Sequence, residues 1–544
     1  MKPIAVLPVI RRSIVIAGLC VVPVIAFAQQ QPQQPQQPVP PPNSPLELPE
    51  FIVTGKEHVD IPGSAKQAPA RPPMLPKKRL DTLNTLEKQP APSMPARSLP
   101  VLKRTTLLWP GYVQAELGQY VTPDVRAGYS FETGGYRIDL AGGAELSSGH
   151  LDNAGYGKYD IRALSTYVAP EKFIFFGGST TEVDLKYSTK SYKQFALAAA
   201  PERSTTALHA GLGVQGRHEG FVYDAGASWT TTSLDVPVRL VRDNVLRGHA
   251  RIENQWRSFD VGAMADLNVR TYAGQDYPFI MASGYGRWVS DLMRITGGIG
   301  FQTARSTAGD DRFGLLIKGG VELFLGPDLT LQATAKSGLR PVGFADLLDR
   351  NPYLNDSIVL DASYDIVDLD GMLLFHPTTR LSIGAGIRLR QTDRMPVWVG
   401  ATNATFALAY ESVTTIQIPG QMRWIPGGRD AVTADVAITN ATLSGGRAQP
   451  YVPAITASAS YDHSFSSQLL TQVHVVYIGD RWADLANTIQ LSGYVDLRLG
   501  AKYAVSNALT VQLRAHNLLG SSIVLWEGYR ERGIFVSGGI TWKF

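Results

Sequence analysis

The sequence predicts an all-β protein, a transmembrane antiparallel β-barrel of about 18–22 strands preceded by a disordered Pro/Gln-rich N-terminal segment. Three observations support this prediction. Beyond the N-terminus, no apolar run in the 544 residues approaches the roughly 20 that a membrane-spanning helix needs. Apolar and polar residues alternate with period two from about residue 107 to residue 544. The connections between these alternating segments are short and long in turn, as in barrels that cross a membrane.

Residues 1–28 have the pattern of a secretory signal peptide. Basic residues open the segment, an apolar stretch follows from 14 to 25, and residues 26–28 read Ala-Phe-Ala. Export followed by cleavage is therefore expected. The chain's single cysteine, Cys20, lies inside this segment, so we expect no disulfide and no thiolate metal site in the mature protein.

Residues 29–106 differ sharply in composition from the rest of the chain. They are rich in Gln and Pro and too poor in apolar residues to fold alone, which predicts a disordered periplasmic linker. The linker contains one short β-prone string. This string is either a peptide that adds a strand to the sheet edge of a partner or an accidental apolar stretch, and the sequence leaves both open. Its members are Glu50, Phe51, Ile52, Val53, Thr54 and Gly55.

In residues 107–544, one face of each alternating segment is apolar or small and the other carries full charges. In a soluble sandwich the apolar face would pack against a second sheet. In a membrane barrel the apolar face contacts lipid and the charged face lines an aqueous lumen. The barrel interpretation therefore predicts a set of lumen-lining side chains, namely Arg388, Arg390, Asp496, Arg498, Lys502 and Arg514.

The order of connection lengths separates these two architectures, because only a membrane barrel must alternate tight periplasmic turns with longer outer loops. The resulting count is about 22 strands. Long connections are expected at 518–533, 480–492, 445–451, 395–405, 340–357, 304–312 and 233–244, with a medium one at 273–277. Short turns are expected at 506–508, 464–467, 426–428, 376–379, 326–328, 290–291, 257–258, 218–220, 169–172 and 134–135.

The C-terminal residues form an alternating strand that ends in aromatic side chains, Trp542 and Phe544. An ordinary edge strand is one interpretation, but an uncovered apolar edge at a chain end is an aggregation hazard in water. Closure of a barrel removes that edge. We therefore interpret Trp542 and Phe544 as a barrel-insertion signal, of the kind recognised when outer-membrane barrels are inserted.

No motif in the sequence predicts an enzyme. Residues 211–216 match the dinucleotide-binding glycine pattern but lie in an alternating strand that no helix follows. Asp365, Asp368 and Asp370 lack the spacing of a calcium loop. The balance of 51 Lys and Arg against 47 Asp and Glu gives no reason to expect a nucleic-acid partner. We expect no catalytic residues, no metal site and no cofactor.

Three stretches of the sequence resemble TonB-dependent receptors, the gated outer-membrane barrels that import scarce nutrients. Residues 341–354, ending in Asn-Pro-Tyr-Leu, resemble an extracellular loop of that family. Residues 516–533, beginning His-Asn-Leu-Leu-Gly, resemble its C-terminal signature. The string from Glu50 to Gly55 is similar to the family's energy-coupling box, which pairs with TonB as an added strand. The resemblance implies an outer-membrane receptor barrel for residues 107–544.

The sequence departs from this family between the coupling box and the barrel. Receptors of the family carry a folded plug domain there, whereas this chain has only residues 56–106, which are rich in Pro and unpatterned. We therefore expect the plug to be lacking. A barrel of about 22 strands normally has a filled lumen, so another element fills it or it is open.

Two hypotheses for function follow from these features. The leading hypothesis is an outer-membrane transport or pore protein whose loops 340–357 and 518–533 bind an unidentified solute at the cell surface. The alternative is a non-conducting structural barrel that anchors envelope partners through its N-terminal tail. The expected partners are outer-membrane lipid, the barrel-assembly machinery, and TonB or another periplasmic protein that binds residues 29–106.

Overall fold

The structure is a computed structural model that describes residues 109–171, 177–256 and 258–544. The expected signal peptide at 1–28, the linker at 29–106 and the string Glu50–Gly55 lie outside the described residues. The first barrel strand begins at Gly111.

Twenty-two long strands, here named β1 to β22 in chain order, form one antiparallel sheet. A further two-residue segment, Gln275–Asp276, extends one connection of this sheet. The first eleven strands are β1 Gly111–Gly118, β2 Thr122–Thr133, β3 Tyr136–Ser147, β4 Tyr156–Val168, β5 Thr180–Lys193, β6 Glu202–His218, β7 Phe221–Val236, β8 Arg239–Trp256, β9 Phe259–Tyr272, β10 Phe279–Val289 and β11 Met293–Arg305. The others are β12 Asp311–Phe324, β13 Leu329–Arg340, β14 Ser363–Thr378, β15 Leu381–Gly400, β16 Phe406–Gly427, β17 Asp430–Leu443, β18 Ile455–Ser464, β19 Leu469–Ile478, β20 Tyr494–Ala504, β21 Leu509–His516 and β22 Phe535–Lys543.

Short elements lie in the connections. One helix, α1 Phe344–Arg350, and one 3-10 turn, Thr402–Ala404, are present among the described residues. Two small hairpins pair Arg481–Trp482 with Gln490–Leu491 and Val524–Trp526 with Tyr529–Arg530. In the described part of the chain, no helix is long and apolar enough to cross a membrane.

The sheet closes on itself because β1 pairs with β22. The pairing runs from Tyr112 opposite Lys543 to Gly118 opposite Ser537. Gly111 and Phe544 extend it by exchanging two backbone hydrogen bonds of 2.9 Å each. The fold prediction, an antiparallel barrel of about 18–22 strands, is confirmed, and the barrel has 22.

The connections alternate in length as predicted, with differences in detail. The end of the barrel that holds Gly111 and Lys543 has turns of two to four residues, except for 169–179, where a short turn was expected at 169–172. The opposite end carries the longest connections, 341–362, 479–493 and 517–534. The connection 119–121 at that end is short, and α1 was not expected.

Two of the expected long loops are wrong. β7 and β8 occupy most of 233–244 and leave a two-residue turn, while β15 continues to Gly400 and reduces the loop at 395–405 to 401–405. In the first case, β7 and β8 extend as paired strands into the region where a loop was expected. Leu234 and Val241 are then buried in an apolar cluster that includes residues of the connection 341–362, a contact that makes the extended hairpin stable.

The two faces of the barrel wall have opposite character. Large apolar side chains such as Ile161, Ile299 and Ile387 are exposed on one face. Among the described residues the other sheets are only the two small hairpins, so no second sheet covers this face. On the other face, called the polar face below, contacts skip a strand, as between Arg287 on β10 and Glu253 on β8 at 2.9 Å. Contacts that skip a strand are favoured where a sheet is concave, so the polar face is the inner one.

Candidate functional site

Three connections from widely separated parts of the wall meet at the end that carries the long loops. They are 194–201 between β5 and β6, 341–362 between β13 and β14, and 517–534 between β21 and β22. Around the closed ring of 22 strands these positions are eight, eight and six strands apart. Eight strands correspond to about 38 Å along the wall. Loops from these positions can therefore meet only over the mouth of the barrel.

The first half of the connection 341–362 is anchored by α1. Phe344, Leu347 and Leu348 are buried on one side of this helix and pack in the cluster that contains Leu234 and Val241. The helix is only seven residues long, too short for an apolar period to be recognised in the sequence. Its burial fixes where the following residues lie.

The stretch Asn351–Leu354, which carries the family resemblance, is held from both sides. Tyr192 on β5 donates a hydrogen bond of 2.5 Å from its hydroxyl to the carbonyl of Pro352. On the other side, the backbone N–H of Phe406 donates to the carbonyl of Tyr353 at 3.0 Å. The loop is thereby bound to β5 and to β16 at once.

Arg203, at the start of β6, is a buried, positively charged residue that contacts the same stretch of the loop. It is 2% exposed and donates a hydrogen bond to the carbonyl of Leu354, while its Nε has no hydrogen-bond partner. Burial of a cation costs free energy unless polar groups surround it. The position of Arg203 is therefore stable only while the loop supplies the carbonyl of Leu354 as a partner. The sequence analysis missed Arg203, because nothing in its local pattern distinguishes it from a solvated strand residue.

Three aromatic rings, one from each connection, form what we call the aromatic clasp: Phe195, Tyr353 and Tyr529. The rings of Tyr353 and Tyr529 stack with centroids 3.4 Å apart and planes 13° apart. Phe195 meets Tyr529 edge-on at 5.1 Å and Tyr353 at 6.2 Å. The hydroxyl of Tyr529 also donates a 2.8 Å hydrogen bond to the carbonyl of Ala404, in the connection before β16. The clasp therefore ties four segments of the mouth together.

Both tyrosines of the clasp keep their protons at neutral pH. Burial raises the pKa of Tyr529 to about 12. Burial also raises the pKa of Tyr353, and the neighbouring Tyr529 adds to this effect. The Tyr529 hydroxyl therefore remains a hydrogen-bond donor to Ala404 across the physiological range.

Asn517 organises the base of the connection 517–534. It is buried in the left-handed region at φ 49°, a conformation that Asn tolerates better than most residues. Its side chain donates to the carbonyls of Ser521 at 2.8 Å and Arg532 at 3.3 Å, which lie on the two sides of the loop. Its backbone N–H donates to Asp496 at 2.8 Å. The signature at 516–520 thus has a structural task, to join both stems of the loop to β20.

The six side chains predicted to line the lumen lie on the polar face in two groups, on β15 and on β20 and β21. They are not six free charges, since only Lys502 has no ion pair within the described residues. The pairs are Arg388 with Asp370 at 2.7 Å, Arg390 with Asp368 at 2.9 Å, Arg498 with Asp496 at 2.7 Å and Arg514 with Glu116 at 3.3 Å.

Trp542 and Phe544 lie at the seam where the barrel closes. Trp542 pairs with Val113 on β1 and with Leu509 on β21. Its ring is 4.9 Å from that of Phe544, and both side chains are exposed. The two residues predicted to form the insertion signal therefore lie at the strand that closes the barrel.

Within the described ranges, no group of three or more His, Cys, Asp or Glu side chains is placed to hold a metal ion. The concavities formed by the described residues include two that are lined by several charged side chains of the polar face. One, of about 500 Å³, lies on β5 to β9 and includes Asp184, Asp224 and Asp266. The other, of about 530 Å³, lies on β18 to β21 and includes Arg498 and Lys502.

The barrel is similar to several solved structures. The copper transporter OprC matches with a TM-score of 0.64 and 13% identity over 80% of each chain. The FrpB iron transporter from Neisseria meningitidis (F3-3 variant) matches with a TM-score of 0.66 and 10% identity, over 81% of this chain and 82% of that one. The ferric yersiniabactin uptake receptor FyuA from Yersinia pestis matches with a TM-score of 0.64 and 12% identity over 80% of each chain. No protein-family model and no curated protein sequence matches the chain.

These neighbours are TonB-dependent receptors. Identities of this size establish the fold, and the fold of residues 111–543 is the closed 22-stranded outer-membrane barrel of that class. The predicted resemblance to TonB-dependent receptors is confirmed for the barrel.

Proposed function

We propose that the protein is an outer-membrane transport barrel that binds a solute at its looped end and passes it through a lumen lined by the polar face. The aromatic clasp is the observation that carries this proposal. It brings loops from three parts of the ring to one point over the mouth, where they can contact an incoming solute or exclude it. Transport is also the role named for three structural neighbours of the barrel.

The outer binding surface in this proposal consists of the connections 341–362 and 517–534. Each carries one ring of the clasp. Each is also hydrogen-bonded to a distant segment, the first to β5 and the second to the connection before β16. A solute that separates Tyr353 from Tyr529 would open the mouth. The polar face below would then provide the aqueous path, with Arg388, Arg390, Asp496, Arg498, Lys502 and Arg514 among its lining residues.

Residues 1–106 complete the proposal on sequence grounds alone. Residues 1–28 direct export and are removed, and the string Glu50–Gly55 pairs with TonB or another periplasmic protein as an added strand. The segment 56–106 is too short and too rich in Pro to form a plug of the family type. Trp542 and Phe544 are the feature that the barrel-assembly machinery recognises during insertion.

Conductance in planar bilayers tests the proposal. Tyr353 and Tyr529 are replaced together by Ala, and the variant is compared with wild type and with Tyr477→Ala, which removes an exposed tyrosine from the apolar face. Loss of the buried Tyr529 ring and the half-buried Tyr353 ring costs the closed mouth about 4 kcal/mol, so the open fraction should rise about a thousandfold. Tyr477→Ala should conduct like wild type.

Each measurement is repeated on a chain that lacks residues 29–106, so that the barrel is also measured without its N-terminal segment. If no variant conducts in either form, the transport proposal is wrong and the alternative, a non-conducting barrel that anchors envelope partners through its tail, is supported. If wild type already conducts as widely as the double variant, the protein is an open pore and the clasp does not close it.

A further inference from the structure

A glycine on the polar face is surrounded by side chains that donate hydrogen bonds. Gly500 lies on β20, with Arg498 and Lys502 two residues away on either side along the same face. The register places Arg514 of β21 opposite Gly500 on one side and Gln472 of β19 opposite it on the other. Four donor side chains therefore border a position that has no side chain of its own.

The missing side chain leaves real space. A Cβ added at residue 500 would meet only the Gln472 side chain, at 3.8 Å or more. Gly500 is one of the residues that line the concavity of about 530 Å³ on β18 to β21. Asp462, His474, Gln512 and His516 complete the polar part of its lining. A small group can thus approach the strand directly at Gly500, as glycine allows.

The charge of this concavity is positive. Its lining contains Arg498, Lys502 and Arg514 against one carboxylate, Asp462, so three positive charges and one negative charge give a formal +2 with His neutral. Two of these cations are paired with carboxylates outside the lining, Arg498 with Asp496 and Arg514 with Glu116, and Lys502 is the cation that remains. Lys502 is exposed and has no ion pair within the described residues. It offers three N–H donors to whatever occupies the space.

The other concavity, of about 500 Å³, serves as an internal comparison. Two positive charges and four negative charges among its lining residues give a formal −2 with His neutral. Arg247 pairs with Asp266 at 2.9 Å inside this concavity, whereas the carboxylates that pair with Arg498 and Arg514 lie outside the lining of the other one. A lining with more positive than negative charge therefore distinguishes the concavity on β18 to β21 from this one and does not extend over the whole polar face.

We propose that the concavity around Gly500 binds an oxyanion group, a phosphate or a carboxylate, and that the transported solute carries this group. The second half of the proposal rests on the transport function proposed above. Lys502 supplies the uncompensated charge, Arg498 and Arg514 supply further N–H donors, and Gly500 admits the anion to the wall. Asp462 opposes binding, because its carboxylate lines the same space and its Oδ1 accepts no hydrogen bond.

Equilibrium dialysis with labelled inorganic phosphate, on the full-length protein in detergent, tests the site without requiring conduction. Lys502→Gln should weaken phosphate binding about tenfold, because it removes a charge-assisted contact. The matched control is Lys336→Gln, another exposed polar-face lysine without an ion pair in the described part of the barrel, and it should bind phosphate like wild type. Asp462→Asn should bind phosphate more tightly than wild type.

Competition identifies the source of the oxyanion. If succinate displaces phosphate, the site takes carboxylates; if it does not, the site is selective for phosphate. Wild-type protein that binds neither labelled phosphate nor labelled succinate, or a Lys336→Gln variant that loses as much affinity as Lys502→Gln, would overturn the proposal. A protein that binds phosphate at this site but never conducts would retain the site and lose the transport function, so the two failures are distinguishable. Heat-modifiable gel mobility confirms that each variant is folded.

Discussion

Tyr529 makes more of the contacts between distant segments than its neighbours in the connection 517–534. Its ring stacks on Tyr353 and contacts Phe195, while its hydroxyl donates to the carbonyl of Ala404. It is 2% exposed. Period-two alternation can assign residues to one face of the wall, because that pattern is local to each strand. It gave no indication of Tyr529, Phe195 or Arg203, because their partners come from connections far away in the chain.

Replacement of Tyr529 should separate the ring contribution from that of the hydroxyl. Tyr529→Phe removes one hydrogen bond and should weaken the closed mouth by about 1 kcal/mol. Tyr529→Ala also removes the buried ring and should weaken it by about 3 kcal/mol. Hydrogen exchange of the amides in 517–534, read by mass spectrometry, measures both effects. Equal exchange in the two variants would mean that the ring contributes nothing to closure.

At the scale of elements, side-chain hydrogen bonds and an ion pair join the strands at the seam between β1 and β22. Glu116 on β1 accepts hydrogen bonds from Gln512 on β21 at 2.9 Å and from Ser537 on β22 at 2.5 Å. Arg514 on β21 lies 3.3 Å from the same carboxylate. One side chain therefore connects three consecutive strands of the closed ring across the seam between its first and last strands.

Glu116→Ala should destabilise the closed barrel by about 2 kcal/mol, because three charge-assisted contacts at a poorly exposed carboxylate are lost. Urea unfolding in detergent, followed by the shift in gel mobility, measures the change. Glu182→Ala is the control, since Glu182 is a polar-face carboxylate on β5 that forms no ion pair in the described ranges. A seam variant that is as stable as the control would show that backbone pairing alone holds the barrel closed.

The element order was largely predictable from the sequence, and the exceptions have physical causes. Alternation and turn residues gave the strand count and the parity of connections, since both depend on neighbouring residues. The hairpin of β7 and β8 was mistaken for a loop because its stability comes from burial of Leu234 and Val241 near α1. That helix is itself stabilised by the same burial. Tertiary contacts between distant connections therefore determined what the local pattern could not.

At the scale of the whole molecule, the exposed apolar face requires a lipid environment. Leu185 lies near the middle of β5 on this face and is 49% exposed. Ser188 lies three residues further along the same strand, on the polar face opposite Asp160. Within one strand, Leu185 therefore faces the outside of the barrel and Ser188 faces its inside.

Leu185→Arg should destabilise the barrel in lipid by about 2–4 kcal/mol, the cost of a guanidinium near the bilayer centre. Ser188→Arg should cost much less, because its charge faces the aqueous side. Unfolding from phospholipid vesicles measures both variants. Equal costs at the two positions would contradict the assignment of the apolar face to lipid.

The aromatic clasp has a mechanical consequence for the barrel wall. A thin closed ring changes shape most easily by flattening into an oval, since flattening bends the wall without stretching it. Ties between three points spaced roughly a third of the circumference apart oppose flattening in every direction. Phe195, Tyr353 and Tyr529 form such a set of ties. When they separate, the whole ring becomes softer, so an event at the mouth also changes the stiffness of the wall around the distant polar face.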